Sequence, residues 1–167
     1  FVVLNLFGMK VAAKAQYAMV IILIVALLLF SGFGFVHLEP NYFDENQFFL
    51  NGFTGVMSAA ALLSMATSGA TFIINMSREA KNPKKDIPFC IVVGTIIVTL
   101  LYICVGVVAA GVFPVSEVAG KNLTLVAREI LPTPLYIFFI VGGAMIALVT
   151  SLNACLGWLQ DPIAQAA

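Results

Sequence analysis

Four uncharged apolar runs constrain everything else this chain can fold into. They cover about residues 15–36, 53–76, 89–113 and 135–156, and none carries Asp, Glu, Lys, Arg or His in its interior. A helix rising 1.5 Å per residue needs roughly 20 apolar residues to cross a ~30 Å hydrocarbon core. Each run is long enough. Lipid offers backbone N–H and C=O groups no partners, so a crossing segment must satisfy its own, which a helix does. A membrane β-barrel would instead show alternating runs of ~10 residues, and these are absent. The expected fold class is therefore all-α, a polytopic transmembrane helix bundle with the lipid bilayer as its surroundings. Composition closes the other routes. Of 167 residues, 62% are hydrophobic and 10% charged, with mean hydropathy +1.08. A soluble domain carries roughly 25% charged residues and needs them to cover its surface. Disordered chains and nucleic-acid binders are excluded on the same ground.

Eight Lys and Arg balance eight Asp and Glu, so the position of the charges matters rather than their sum. Threading the runs up and down puts Lys10, Lys14, Arg78, Lys81, Lys84 and Lys85 on one side and only Lys121 and Arg128 on the other. The excess of basic residues marks the cytoplasmic side. Both ends of the chain are then expected in the cytoplasm, with Glu39, Asp44 and Glu45 outside. The expected location is an integral membrane protein of the plasma membrane. Local signals set boundaries. Asp86 is expected to cap the third run, with Pro88 in its first turn, and Pro114 to end it. Ser116 is expected to cap an outer helix over about residues 117–130, stopped by Pro132, and Thr133-Pro134 to open the fourth run. The stretch 1–7 reads as the tail of an earlier span, and the whole of 1–167 as a partial transmembrane domain belonging to a longer parent chain.

The second run is not a plain span. Ser64-Met65-Ala66-Thr67-Ser68-Gly69-Ala70-Thr71 sets four hydroxyl residues and a glycine near mid-membrane. Gly69 permits backbone angles that other residues resist, and the hydroxyls can take up freed backbone groups. A break here would leave two half-helices aimed at one spot. Their carbonyls would attract an ammonium group and their N–H groups a carboxylate, which is chemistry suited to a zwitterion. Small residues that let helices approach closely explain the same composition, so both readings stand at this point. Gly143 with Ala147, and Gly106 with Ala110, are read as packing contacts.

The loop after the second run is Arg78-Glu79-Ala80-Lys81-Asn82-Pro83-Lys84-Lys85-Asp86-Ile87-Pro88. Its E-x-K-N-P-x-x-D-I-P string resembles the cytoplasmic loop after the sixth helix of amino acid permeases in the amino acid–polyamine–organocation superfamily. Leu4-Asn5-Leu6-Phe7-Gly8-Met9-Lys10, followed by Gln16, resembles that family's passage from the fourth helix to the fifth. The resemblance covers the end of the fourth helix through the eighth. It implies a fragment of a LeuT-type transporter, with a five-plus-five inverted repeat and a discontinuous helix around Gly69. It also implies that Met65, Thr67, Ser68, Gly69, Ala70 and Thr71 line a site for an amino acid or related amine. Many relatives carry bulky aromatics just before the glycine, where this chain has Met65 and Thr67.

In the fourth run, Ala147, Thr150 and Ser151 lie three and four apart on one helix face. One carbonyl and two hydroxyls are hard oxygen ligands of the kind Na⁺ takes. The A-x-x-T-S pattern is similar to the eighth-helix half of the sodium site in sodium-coupled LeuT-type carriers. Some sodium-independent relatives place a lysine midway along the fifth helix, and here that place falls near Leu23. No charged group lies inside any run to relay protons.

The remaining polar residues invite structural readings. Asn75 and Asn153 are expected to hydrogen-bond between helices. Cys90, Cys104 and Cys155 show no metal or disulfide spacing and read as small packing residues, and His37 reads as interfacial. Asn122-Leu123-Thr124 matches a glycosylation acceptor. No nucleophile–base set, phosphate loop or carboxylate pair is present, so the chain is not expected to be an enzyme and no cofactor is implied beyond Na⁺ as coupling ion. The functional expectation is secondary active transport of amino acids or amines by alternating access, coupled to sodium. An ion channel and a non-transporting membrane scaffold or sensor are the alternatives. The expected partners are the substrate, the bilayer and the remaining helices of the same chain.

Overall fold

A computed structural model describes residues 9–40, 42–43, 52–67, 69, 73–74, 82–118 and 120–155, with the side chains of 9–12, 65–67 and 115–116 outside the description. Most of the described residues are helical, and none among them is in a strand. The helices are α1 (Met9–Val36), α2 (Gly52–Thr67), α3 (Pro83–Gly111), the short α4 (Val115–Val118), α5 (Leu123–Ile130) and α6 (Thr133–Cys155). Three of them are long and apolar enough to cross a membrane: Ala13–Val36 within α1, α3 and α6. α1 and α3 show almost no polar face along their apolar stretches, the pattern of a membrane-spanning helix.

The core is one seam. Ala26, Phe30 and Gly34 line one face of α1 at four-residue spacing and are buried. Phe30 stacks on Phe139 of α6, with ring centroids 5.0 Å apart at 25°. Hydrophobic transfer does not drive helices together in lipid, so close van der Waals fit must. Glycine supplies it in two places. A side chain at Gly34 would overlap Val108 of α3, and a Cβ at Gly142 of α6 would stand 3.1 Å from Ile22. Gly143 is buried beside Ala26, as expected of a packing residue, but Gly106 faces open space among the described residues and is not a contact. The contacts along the seam fix α1 and α6 as antiparallel.

Several boundaries differ from the sequence expectation. α3 begins at Pro83 rather than near Phe89, because proline in the first turn has no N–H to leave unpaired. Asp86 does not precede this helix. It sits inside the first turn, where its carboxylate accepts the backbone N–H of Asn82 at 3.0 Å. Pro88 consequently lies within the helix rather than at its start. Ser116 is not a cap either, since it falls inside α4. The single outer helix is two pieces, α4 and α5, parted around Gly120, whose φ of +73° lies in the left-handed region. α5 turns Val126, Ala127 and Ile130 inward and leaves Arg128 and Glu129 exposed. α6 does open at Thr133 with Pro134 in its first turn. At the far end of α1, the Glu39 N–H donates to the Gly111 carbonyl at 2.9 Å, closing the turn against the end of α3. His37 is exposed there, with Nδ1 2.9 Å from the Phe33 carbonyl.

Candidate functional site

α2 is regular only as far as Thr67. Gly69 lies beyond its end in 3₁₀ geometry and is exposed, and Ile73 and Ile74 are again 3₁₀. Ser68, Ala70 and Thr71 lie outside the described residues, as do Asn75 and the stretch 75–81. Met65 and Thr67 belong to the last turn of α2. A Cβ on Gly69 would meet nothing within 4 Å. The hydroxyls earlier in α2 bond back onto their own helix: Ser58 to the Thr54 carbonyl at 2.9 Å and Ser64 to the Ala61 carbonyl at 2.7 Å. All of residues 52–64 are exposed apart from Gly55, which is half-buried.

Ala147, Thr150 and Ser151 are brought together by α6. Both hydroxyls donate to one acceptor, the Ala147 carbonyl, each at 2.9 Å. This is back-bonding of the kind hydroxyl residues make within helices. It also leaves the lone pairs of both Oγ atoms directed away from Ala147. Thr150 is buried, Ala147 half-buried and Ser151 exposed, so the trio straddles the edge of the α1–α6 seam. No cluster of His, Cys, Asp or Glu able to hold a metal is found among the described residues. Neutral oxygens alone suit a weakly held alkali cation rather than a transition metal.

Gln16 of α1 reaches the same turn of α6. Its Oε1 accepts from Asn153 Nδ2 at 2.8 Å, and its Nε2 donates to the Thr150 carbonyl at 3.4 Å. Asn153 thus makes the interhelical bond expected of it. In the sequence Gln16 stands out only within the stretch resembling the passage from the fourth helix to the fifth, and nothing there pairs it with Asn153. Above this cluster the backbone departs from α geometry. Phe139–Met145 is π-helical, and the Ile146 N–H reaches the Val141 carbonyl. Such segments are rare and often accompany function. The α1–α6 register, with Ile22 beside Gly142 and Gln16 beside Thr150, sets Leu23 about one turn away from Ala147.

An open groove of about 690 Å³ lies at the opposite end of α6, lined by Phe113, Glu117, Lys121, Arg128, Glu129 and Tyr136 among others. Thr150 is fourteen residues along the helix from Tyr136, roughly 21 Å at the α-helical rise, so the groove and the hydroxyl cluster are separate features.

The family model for amino acid permeases matches residues 1–167. The branched-chain amino acid permease BcaP of Bacillus subtilis is 35% identical over 115 residues, covering 69% of this chain and 24% of the relative. The methylthioribose transporter of the same organism is 28% identical over 149 residues, 89% of this chain and 32% of the relative. Its aspartate-proton symporter is 28% identical over 137 residues, 77% of this chain and 25% of the relative. The chain therefore spans about a quarter to a third of the length of these curated relatives. No solved structure matches it significantly.

Proposed function

This chain belongs to the amino acid permease family, and from that premise we propose that it forms part of a secondary transporter for neutral amino acids, working by alternating access and coupled to sodium. The observation that carries the reading is the change from regular α-helix, described through Thr67, to 3₁₀ geometry at Gly69, in a segment otherwise long and apolar enough to continue. The freed backbone groups at such an end hold the substrate's ammonium and carboxylate. Met65, Thr67, Ser68, Gly69, Ala70 and Thr71 line this pocket. No charge lies between residues 53 and 76, so a charged substrate side chain finds no counter-ion there. That favours an uncharged one, in keeping with the branched-chain substrate in the name of the relative BcaP.

Ala147, Thr150 and Ser151 supply three oxygens to Na⁺ once the two hydroxyls turn from the Ala147 carbonyl, with the other ligands coming from elsewhere in the full-length chain. α1 and α6, packed along one seam, act as the static scaffold. α2, with hardly a buried residue, belongs to the moving bundle. The side bearing Lys10, Lys14, Lys84 and Lys85 faces the cytoplasm of a cell bounded by the plasma membrane.

Uptake of radiolabelled leucine by the full-length chain in proteoliposomes tests the reading, with and without an inward Na⁺ gradient and against competing aspartate and lysine. Sodium-stimulated uptake, competed by valine and isoleucine but not by the charged amino acids, is the expected result. Equal competition by aspartate or lysine overturns the neutral-substrate assignment. Uptake indifferent to Na⁺ overturns the coupling.

A further inference from the structure

The geometry points to a role for Gln16 that neither its sequence position nor the family assignment gives it: we propose that it is a positioning residue for the cation half-site, setting through Asn153 and Thr150 the rotation of the lower part of α6. The inference rests on the sodium reading of Ala147, Thr150 and Ser151.

Three observations converge on it. The first is the π-helical stretch Phe139–Met145 immediately before the oxygen trio. In an unbroken α-helix the ladder of bonds would fix the azimuth of Ala147 relative to Phe139. A π segment loosens that constraint, because shifting its pairing by one residue turns everything after it by about 100°. The second is the anchoring above. Phe139 is stacked on Phe30, and Gly142 is seated against Ile22, so the upper part of α6 is held to α1 on its own. Those contacts say nothing about the azimuth below Met145. The third is Gln16. It grips α6 below the irregular stretch, taking Asn153 Nδ2 on its oxygen at 2.8 Å and giving its N–H to the Thr150 carbonyl at 3.4 Å.

Thr150 is both a residue Gln16 holds and a proposed cation ligand, so the hold acts directly on the site. Thr150 and Asn153 are 6% and 7% exposed, which leaves water little access to compete for these bonds. Rotating the lower part of α6 away would carry Thr150 out of the seam and break the bond between buried Asn153 and half-buried Gln16, a change disfavoured in apolar surroundings. Gln16 does not touch the cation in this arrangement. It selects the one register of α6 in which Thr150 and Ser151 present their oxygens together.

The test is leucine uptake by the full-length chain at graded Na⁺, comparing wild type, Gln16→Leu and the exchange Gln16→Asn with Asn153→Gln, which moves one methylene across the contact and keeps its span. Gln16→Leu is expected to raise half-saturating Na⁺ about fivefold, the change expected for losing an interhelical hydrogen bond of ordinary strength, with a smaller effect on the maximal rate. The exchange is expected to return half-saturating Na⁺ toward wild type, which a general loss of packing would not allow. If Gln16→Leu does not reach the membrane, Gln16→Asn alone keeps an amide in the span, loses reach and is read the same way. A sodium-stimulated wild type with unchanged half-saturating Na⁺ in Gln16→Leu overturns the positioning role and leaves the sodium reading standing. An exchange no better than the single variant overturns it as well. A wild type indifferent to Na⁺ overturns the sodium reading first, and this inference with it.

Discussion

α6 and α2 are both apolar helices rich in small residues, yet they use those residues in opposite ways. In α6, Gly142 and Gly143 are buried against α1, Thr150 is buried, and Asn153 is paired across to Gln16. In α2, Ser58 and Ser64 bond to their own helix, almost every described residue is exposed, and the backbone is 3₁₀ by Gly69. Glycine and hydroxyl content therefore has two physical uses in a membrane. On a helix that must stay put, small residues shorten the distance to a neighbour and polar ones lock the pair. On a helix with few neighbours, the same residues turn their hydroxyls back onto their own backbone. The neighbours decide which use is made.

The contrast can be broken at either end. The largest effect is expected at Gly34, where a side chain would overlap Val108. Gly34→Leu should destabilise the packed seam by about 3 kcal/mol, at the upper end for overpacking, and thermal unfolding in detergent will show it. A variant as stable as wild type would mean that α1 and α3 do not meet there. Next comes Gly69→Leu, which finds nothing within 4 Å to clash with. On the proposed reading of Gly69 as part of the substrate site, leucine uptake should fall by about tenfold or more while the melting temperature scarcely moves. Full uptake would remove Gly69 from the mechanism.

A smaller change is expected at the clasp. Asn153→Leu should cost about 1 kcal/mol of stability, and combining it with Gln16→Leu should add less than a second such loss, because both remove one bond. Strict additivity in a double-mutant cycle would show the two amides acting independently. The smallest is Ser31, whose hydroxyl oxygen is buried without a hydrogen-bond partner among the described residues. Ser31→Ala removes a polar atom that gains nothing from burial, so a stabilisation of about 0.5 kcal/mol is expected. A loss of stability would mean that the hydroxyl has a partner in the full-length chain.

Much of the fold could be read before any coordinates. The runs at 15–36, 89–113 and 135–156 are helices long and apolar enough to span, with ends displaced by a few residues, because length and lack of charge are all that lipid demands. Pro83, Asp86 and Gly120 moved the boundaries for local reasons the sequence held but did not rank: Pro83 starts a helix as readily as Asp86 caps one, and Gly120 divides the outer helix by adopting positive φ. The candidate sites were legible as residue types. Thr150 and Ser151 stood out as hydroxyls one turn from Ala147, and Gly69 as the glycine of a small-residue stretch. Their surroundings were not legible. Gly106 and Gly34 look alike in the sequence, and among the described residues only Gly34 meets a neighbour.

Reading along the chain is enough to show that it carries membrane-crossing helices, where its charges gather, and to which family it belongs. Each of these follows from local chemistry read along the chain. Packing in three dimensions set that Gln16 meets Asn153, that Gly34 makes room for Val108, and that α6 widens at Phe139–Met145. Those outcomes depend on which faces of separate helices come together. In lipid that choice rests on short-range fit and a few buried hydrogen bonds, which leave no periodic trace in the sequence of any one helix.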